Sequence, residues 1–240
     1  IKIKKRKMTV KLAPKQALIA LDVDSLDEVS EIISLLDKDL FRLKVGKQLF
    51  TSEGPKTIEI LANLGFEVFL DLKLHDIPNT VSKALKNIND LGVWMTNIHL
   101  MGGKEMISES VEIIKNSKNE IILIGVSVLT SLDKSNLSEI GVHKSVEDLV
   151  IDLSSLGKDC GIDGVVCSIS DVSAIKSRFG SDFITVTPGV RMSQENADQK
   201  RSGSIYDAIK FGSDYVVIGR ELTKANNPSE VIKKLESLIN

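Results

Sequence analysis

From Ala17 onward, short apolar runs alternate with stretches whose apolar residues recur every three or four positions. The runs are Ala17–Val23, Phe41–Gly46, Phe66–Lys73, Val93–Leu100, Ile121–Leu129, Gly164–Ser168, Phe183–Gly189 and Tyr215–Arg220. Several are rich in Val and Ile, the composition of strands covered on both faces. The stretches between them read as helices. Val29, Ile32, Ile33 and Leu36 follow the capping residue Ser25 at helical spacing. Thr57–Leu64 and Val81–Leu91 each run into a glycine, Gly65 and Gly92, suited to the left-handed position after a helix. Further helices are expected over Glu105–Lys115, Ser145–Leu156, Asp171–Arg178, Ile205–Phe211 and Ser229–Ile239.

Strands alternating with helices imply a parallel sheet with helical crossovers. Eight such units, one every ~30 residues, imply a (β/α)8 TIM barrel in the α/β class, as one domain. An open doubly wound sheet is the alternative. Against it, Asp22-Val23-Asp24-Ser25 stands where a G-x-G-x-x-G turn would follow the first strand. Two longer irregular stretches, Thr130–Val142 and Arg191–Ser204, would lie in loops at the barrel top.

Composition narrows the function. Of 240 residues, 42% are hydrophobic and 27% charged, ordinary for a soluble globular chain. The net charge of −2 gives no general attraction to nucleic acid or membrane, so an anionic substrate must be met by a local cluster of cations. Cys160 and Cys167 lack C-x-x-C spacing and only three histidines exist, which disfavours a zinc site and leaves two buried thiols. No apolar run approaches the roughly 20 residues that span a bilayer. Residues 1–7 are basic, precede Met8 and lack the apolar core of a secretory signal. They are expected to be a disordered extension, with the barrel over residues 8–240 and the protein in the cytoplasm.

Barrel active sites collect at the C-terminal strand ends. Those ends carry Asp22, Lys44, Asp71 with Lys73, His99, Thr130, Ser168, Pro188 with Arg191, and Gly219 with Arg220. If the third strand continues through them, Asp71 and Lys73 leave the same face. Asp76 follows at the strand end, where Pro78 turns the chain. Alternating Lys44, Asp71, Lys73 and Asp76 would hold each ammonium between carboxylates, because burying an unpaired charge costs several kcal/mol. A positioned ammonium suits a reaction that makes a carbanion, which it stabilises and then protonates. The loops after the last two strands, Thr187-Pro188-Gly189-Val190-Arg191 and Val217-Ile218-Gly219-Arg220, combine backbone freedom with guanidinium groups, as a phosphate site requires. His75 and His99 read as packing residues, and Trp94 and the phenylalanines as core.

The segment Asp71-x-Lys73-x-x-Asp76 followed by Ile77-Pro78-Asn79-Thr80 resembles the signature of the orotidine 5'-phosphate decarboxylase family, bacterial type. Further blocks extend the resemblance from Ala17 to the C-terminus: Phe41–Lys47, Val128–Ser131, Gly164–Ser168, Thr187–Arg191, Asp198–Arg201 and Val217–Arg220. It implies decarboxylation of orotidine 5'-phosphate to UMP in the last step of pyrimidine synthesis, with no metal or organic cofactor. Lys73 would give the proton to C6, and Asp71 would lie by the substrate carboxylate. Lys44 and Asp22 would hold the ribose hydroxyls, and Thr130 would touch the base. Arg191, Gln199, Gly219 and Arg220 would hold the phosphate, with Arg191–Ser204 as a lid. Asp76 and Thr80 would reach the partner's site in a homodimer. Two departures stand out: Met192 occupies a position expected to be proline, and the loop before Asp198-Gln199 is about one residue short. A relative sharing only Asp-x-Lys-x-x-Asp would be a magnesium-dependent sugar-phosphate enzyme. That reading needs further carboxylates, where this chain has Lys44.

Overall fold

The computed structural model describes residues 11–192 and 203–239. Eight parallel strands close into a barrel: β1 (Ala17–Ala20), β2 (Phe41–Gly46), β3 (Val68–Leu74), β4 (Met95–His99), β5 (Ile122–Val126), β6 (Gly164–Val166), β7 (Ile184–Thr187) and, after the short strands β8 (Val190–Arg191) and β9 (Gly203–Ser204), β10 (Tyr215–Ile218). Neighbours follow chain order, and β1 closes the ring by pairing with both β2 and β10. The outer helices are α1 (Leu26–Ile33), α2 (Lys47–Glu53), α3 (Lys56–Asn63), α4 (Pro78–Asp90), α5 (Gly103–Lys115), α6 (Lys134–Glu139), α7 (Val146–Cys160), α8 (Ile169–Phe179), α9 (Ile205–Lys210), α10 (Arg220–Thr223) and α11 (Pro228–Ile239). None is long and apolar enough to cross a membrane. The expected extension over residues 1–7 lies outside the described residues.

Strand alternation divides the core into two layers. Leu18, Ala20, Phe69, Met95, Ile124, Val126, Val166, Val186 and Val217 fill the barrel interior. Their neighbours, such as Ala17, Ile19, Leu43 and Leu70, pack outward against helices. The bottom of the barrel is closed by an arginine packed on two aromatic rings. The Arg42 guanidinium lies 3.9 Å from the Trp94 ring centroid and 5.4 Å from that of Tyr215, and the two rings meet edge to face. Glu67 pairs with Arg42 and with Lys15, which sets a carboxylate against the plug's guanidinium.

The helix signals hold: Ser25 accepts from the Glu28 N–H, and Gly65 and Gly92 have φ of +85° and +69°. The expected strand ends run too far. Ala17–Val23, Ile121–Leu129 and Phe183–Gly189 shorten to β1, β5 and β7, because their last residues leave the ladder to line the barrel mouth. Three short helices were not foreseen. The stretch Thr130–Val142 contains α6, started by a reciprocal Asp133–Asn136 cap. α2 begins directly after β2, and α10 directly after Gly219. β8 and β9 pair across the base of the Arg191–Ser204 stretch.

Candidate active site

The strand ends open into one cavity of about 870 Å3. On one wall, Lys44 Nζ lies 3.1 Å from Asp22 Oδ1 and 3.5 Å from Asp71 Oδ2. Lys73 Nζ lies 2.5 Å from the other oxygen, Asp71 Oδ1. The Lys44 and Asp71 side chains are 9% and 10% exposed, and that of Lys73 is 28% exposed. Lys73 is therefore the more accessible of the two ammoniums, and Lys44, also on the cavity lining, is held between two carboxylates. Gly46 makes room for it: a Cβ there would stand 3.1 Å from Lys44 Nζ and 3.2 Å from Asp22 Oδ1.

Burial opposes ionisation of Asp71, but the Lys44 and Lys73 ammoniums and hydrogen bonds from Lys73 and Asn97 outweigh it. Its carboxyl stays below the ordinary carboxylate range, so the group is charged at neutral pH. Lys73 is reached through an unusual backbone. Its φ is +51°, and β3–β4 pairing slips between Leu70 and Leu74. Asp71 and Lys73 do meet, as expected, but through a left-handed residue rather than regular alternation.

The cavity lining also carries Thr130, Arg191, Gly219 and Arg220, with Pro188 and Gly189. Gly219 adjoins the network, since a Cβ on it would stand 3.6 Å from Asp22 Oδ2. Gly189 has φ of +71°, so the turn carrying β7 toward Arg191 suits a residue without Cβ. The cavity thus brings a mixed-charge network and two guanidinium groups to one lining.

Residues 15–235 match the model of the orotidine 5'-phosphate decarboxylase / HUMPS family. The chain belongs to this family. It is 45% identical over 224 residues to the orotidine 5'-phosphate decarboxylase of Vibrio cholerae O395, covering 92% of this chain and 97% of the relative. The corresponding protein of Teredinibacter turnerae is 44% identical over 225 residues, covering 93% and 97%. Among solved structures, orotidine 5'-phosphate decarboxylase from Lactobacillus acidophilus superposes with a TM-score of 0.80 at 31% identity. That match covers 95% of this chain and 100% of the other.

Of the residues that the decarboxylase family resemblance singled out, Asp22, Lys44, Asp71, Lys73, Thr130, Arg191, Gly219 and Arg220 line the one cavity. Lys44 sits inside β2 rather than at its end. Asp76 and Thr80 do not join them. Both are exposed near the start of α4, and Asp76 Oδ1 accepts from the Ile77 N–H at 2.7 Å. The described alternation is therefore Asp22–Lys44–Asp71–Lys73: Asp22 extends it at the Lys44 end, so Lys44 lies between two carboxylates and Lys73 meets Asp71. Gln199 and most of the supposed lid lie outside the described residues. Ser127 is turned away and donates to the Val166 carbonyl at 2.9 Å. Sequence reasoning missed Asn97, wholly buried beside Asp71, and Lys47, Glu221 and Lys224 on the cavity wall. An amide in the middle of a strand, where a buried polar group needs a partner, was the available signal for Asn97.

His99 ends β4 beside this network and stacks on His75, centroids 5.2 Å apart. Burial first, then the charges of His75, Lys47 and Lys73, push its pKa from 6.5 to about 4. Between those values the unfolded chain binds a proton that the folded protein refuses, so stability falls as pH drops from 6.5 toward 4. His99→Gln should flatten that slope in chemical denaturation at stepped pH, and an unchanged slope would remove His99 as its source. Among the described residues, no group of three His, Cys, Asp or Glu could hold a metal ion.

Proposed function

We propose that this chain decarboxylates orotidine 5'-phosphate to UMP and CO2, the last step of UMP synthesis. The observation that carries the reading is the Asp22–Lys44–Asp71–Lys73 network sharing one cavity lining with Arg191 and Arg220. Family membership supports it.

The two sets of groups suit the two ends of such a substrate. Arg191 and Arg220 would hold the phosphate, helped by backbone N–H groups near Gly189 and Gly219. Asp22 and Lys44 would take the ribose hydroxyls, and Thr130 would meet the base. The C6 carboxylate would then lie by Asp71 and the Lys73 ammonium. As the C6–carboxyl bond breaks, CO2 leaves and the electron pair stays on C6. The pyrimidine offers no internal electron sink, so the fixed ammonium of Lys73 supplies the stabilisation. Lys73 then gives C6 a proton and recovers one from solvent. Binding energy from the remote phosphate can be used to press the reacting carbon into this field.

The direct test follows the loss of orotate absorbance when orotidine 5'-phosphate is added in excess EDTA. Turnover with release of UMP is expected. No turnover would overturn the reading and direct attention to sugar phosphates with Mg2+. Arg220→Ala should lower kcat/KM by roughly 10- to 100-fold, the loss of one or two charge-assisted hydrogen bonds. A change under threefold would move the phosphate elsewhere.

We also infer a homodimer in which Asp76 and Thr80 reach the neighbouring subunit's cavity. Both stand exposed beside Ile77, an apolar side chain 65% exposed, and outside their own chain's cavity. Mixing inactive Lys73→Ala subunits with Asp76→Ala subunits should restore turnover, since each mixed dimer would hold one intact site. Failure of exchanged subunits to regain activity would exclude the reach.

A further inference from the structure

We propose that Asn97 is the positioning residue that sets the Lys73 ammonium in its working direction. The assignment rests on the decarboxylase reading for its kinetic consequence, though not for its geometry.

β3 and β4 run in register at Phe69↔Met95 and Leu70↔Thr96, and pairing resumes only at Leu74↔Ile98. Asp71, Leu72 and Lys73 thus lie opposite the single residue Asn97. Backbone groups in such a bulge lose their ladder partners, and a buried N–H without an acceptor is costly. Side chains from β4 fill the gap. Thr96 Oγ1 donates to the Leu70 carbonyl at 3.1 Å, and Asn97 Oδ1 accepts from the Lys73 N–H at 2.7 Å. The Asn97 Nδ2 group then donates to Asp71 Oδ1, also at 2.7 Å. A main-chain N–H can only donate, so the amide oxygen must face Lys73 and the NH2 must face Asp71.

One buried amide therefore grips both ends of the Asp71–Lys73 pair. Its oxygen holds a non-glycine residue at φ +51°, a conformation that costs about 1–2 kcal/mol on its own. Its nitrogen fixes the carboxylate oxygen that Lys73 Nζ reaches at 2.5 Å. Without Asn97, Lys73 would relax toward an extended backbone and its side chain would swing across the strand. Asn97 does not line the cavity, so it acts only through these two neighbours.

Steady-state decarboxylation and UMP binding by calorimetry should be compared in wild type, Asn97→Ala and Asn97→Asp. Asn97→Ala is expected to lower kcat about 100-fold, as displacement of a reacting group by roughly 1 Å does. UMP affinity should stay within threefold, because the ribose and phosphate contacts are untouched. Asn97→Asp keeps the acceptor for Lys73 but sets a second carboxylate against Asp71, and should lose at least as much. A kcat for Asn97→Ala within threefold of wild type would overturn the assignment. So would a parallel fall in kcat and UMP affinity, the mark of general loosening. A measurement on the unaltered protein covers variants that fail to fold. With 15N-lysine labelling, the Lys73 amide should exchange with solvent far more slowly than an open-chain amide; exchange at the open-chain rate would also overturn it. An inactive wild type would refute the decarboxylase reading, while the amide exchange still decides the role of Asn97.

Discussion

Replacing Lys73 by alanine is expected to lower kcat by about 10⁴-fold or more while leaving the fold intact. Two losses combine. A general acid contributes typically 10²- to 10⁴-fold, and a fixed charge aimed at a developing anion is worth roughly 10²- to 10³-fold. The protein should tolerate the change. Asp71 keeps Lys44 and Asn97 as partners. The Lys73 side chain is the most accessible of the three at the centre of the network, and its backbone is strained. UMP affinity should change little, since the guanidinium wall remains. Single-turnover decay of orotate absorbance gives the rate, and a melting curve checks the fold. A loss below 100-fold in a folded variant would reassign the proton donor.

Asp71→Asn should cost both activity and stability. The substitution preserves shape but removes the charge that lies 2.5 Å from Lys73 and 3.5 Å from Lys44. Lys44, nearly buried, would keep only Asp22, and the two ammoniums would repel one another across a neutral amide. Breaking a buried pair in this way costs about 3–5 kcal/mol, and kcat should fall on the order of 10³-fold through loss of Lys73 placement. The pH dependence identifies the cause. A carboxylate with a depressed folded pKa stabilises the protein above its ordinary value of 3.8, and the contribution is lost as pH falls through the folded value. Wild type and variant should differ fully at neutral pH and converge below 3.8. A gap that persists undiminished in acid would assign the cost to packing rather than charge.

Much of this architecture was legible because it follows from burial. Eight apolar runs separated by helical periods leave few folds, and charges such as Lys44 and Asp71 inside apolar strands need a reason. That Gly189, Arg191, Gly219 and Arg220 line the cavity was legible from glycine and arginine placed after the last strands. The rest depended on partners distant in the chain. Nothing near Lys73 encodes its positive φ; the cause is Asn97, on the next strand. Asn97 itself drew no notice, because an amide carries no charge to flag it. Asp76 was expected inside the network, but it stands exposed in the turn before α4, and Asp22, just past β1, extends the network at its Lys44 end instead. The helices α6 and α10 are too short for their periodicity to register, and α2 starts without a loop to announce it.

The plug of Arg42, Trp94 and Tyr215 fixes what light can report about this molecule. Its indole is the one tryptophan in the chain and sits at the closed end of the barrel, away from the cavity lining. Tryptophan emission therefore follows the opening of the barrel as a whole, when the guanidinium departs and water reaches the ring. It is silent about a nucleotide arriving at the opposite mouth. Occupancy of the cavity has to be read from the nucleotide's own chromophore, and the two signals together separate an empty folded barrel from an unfolded one.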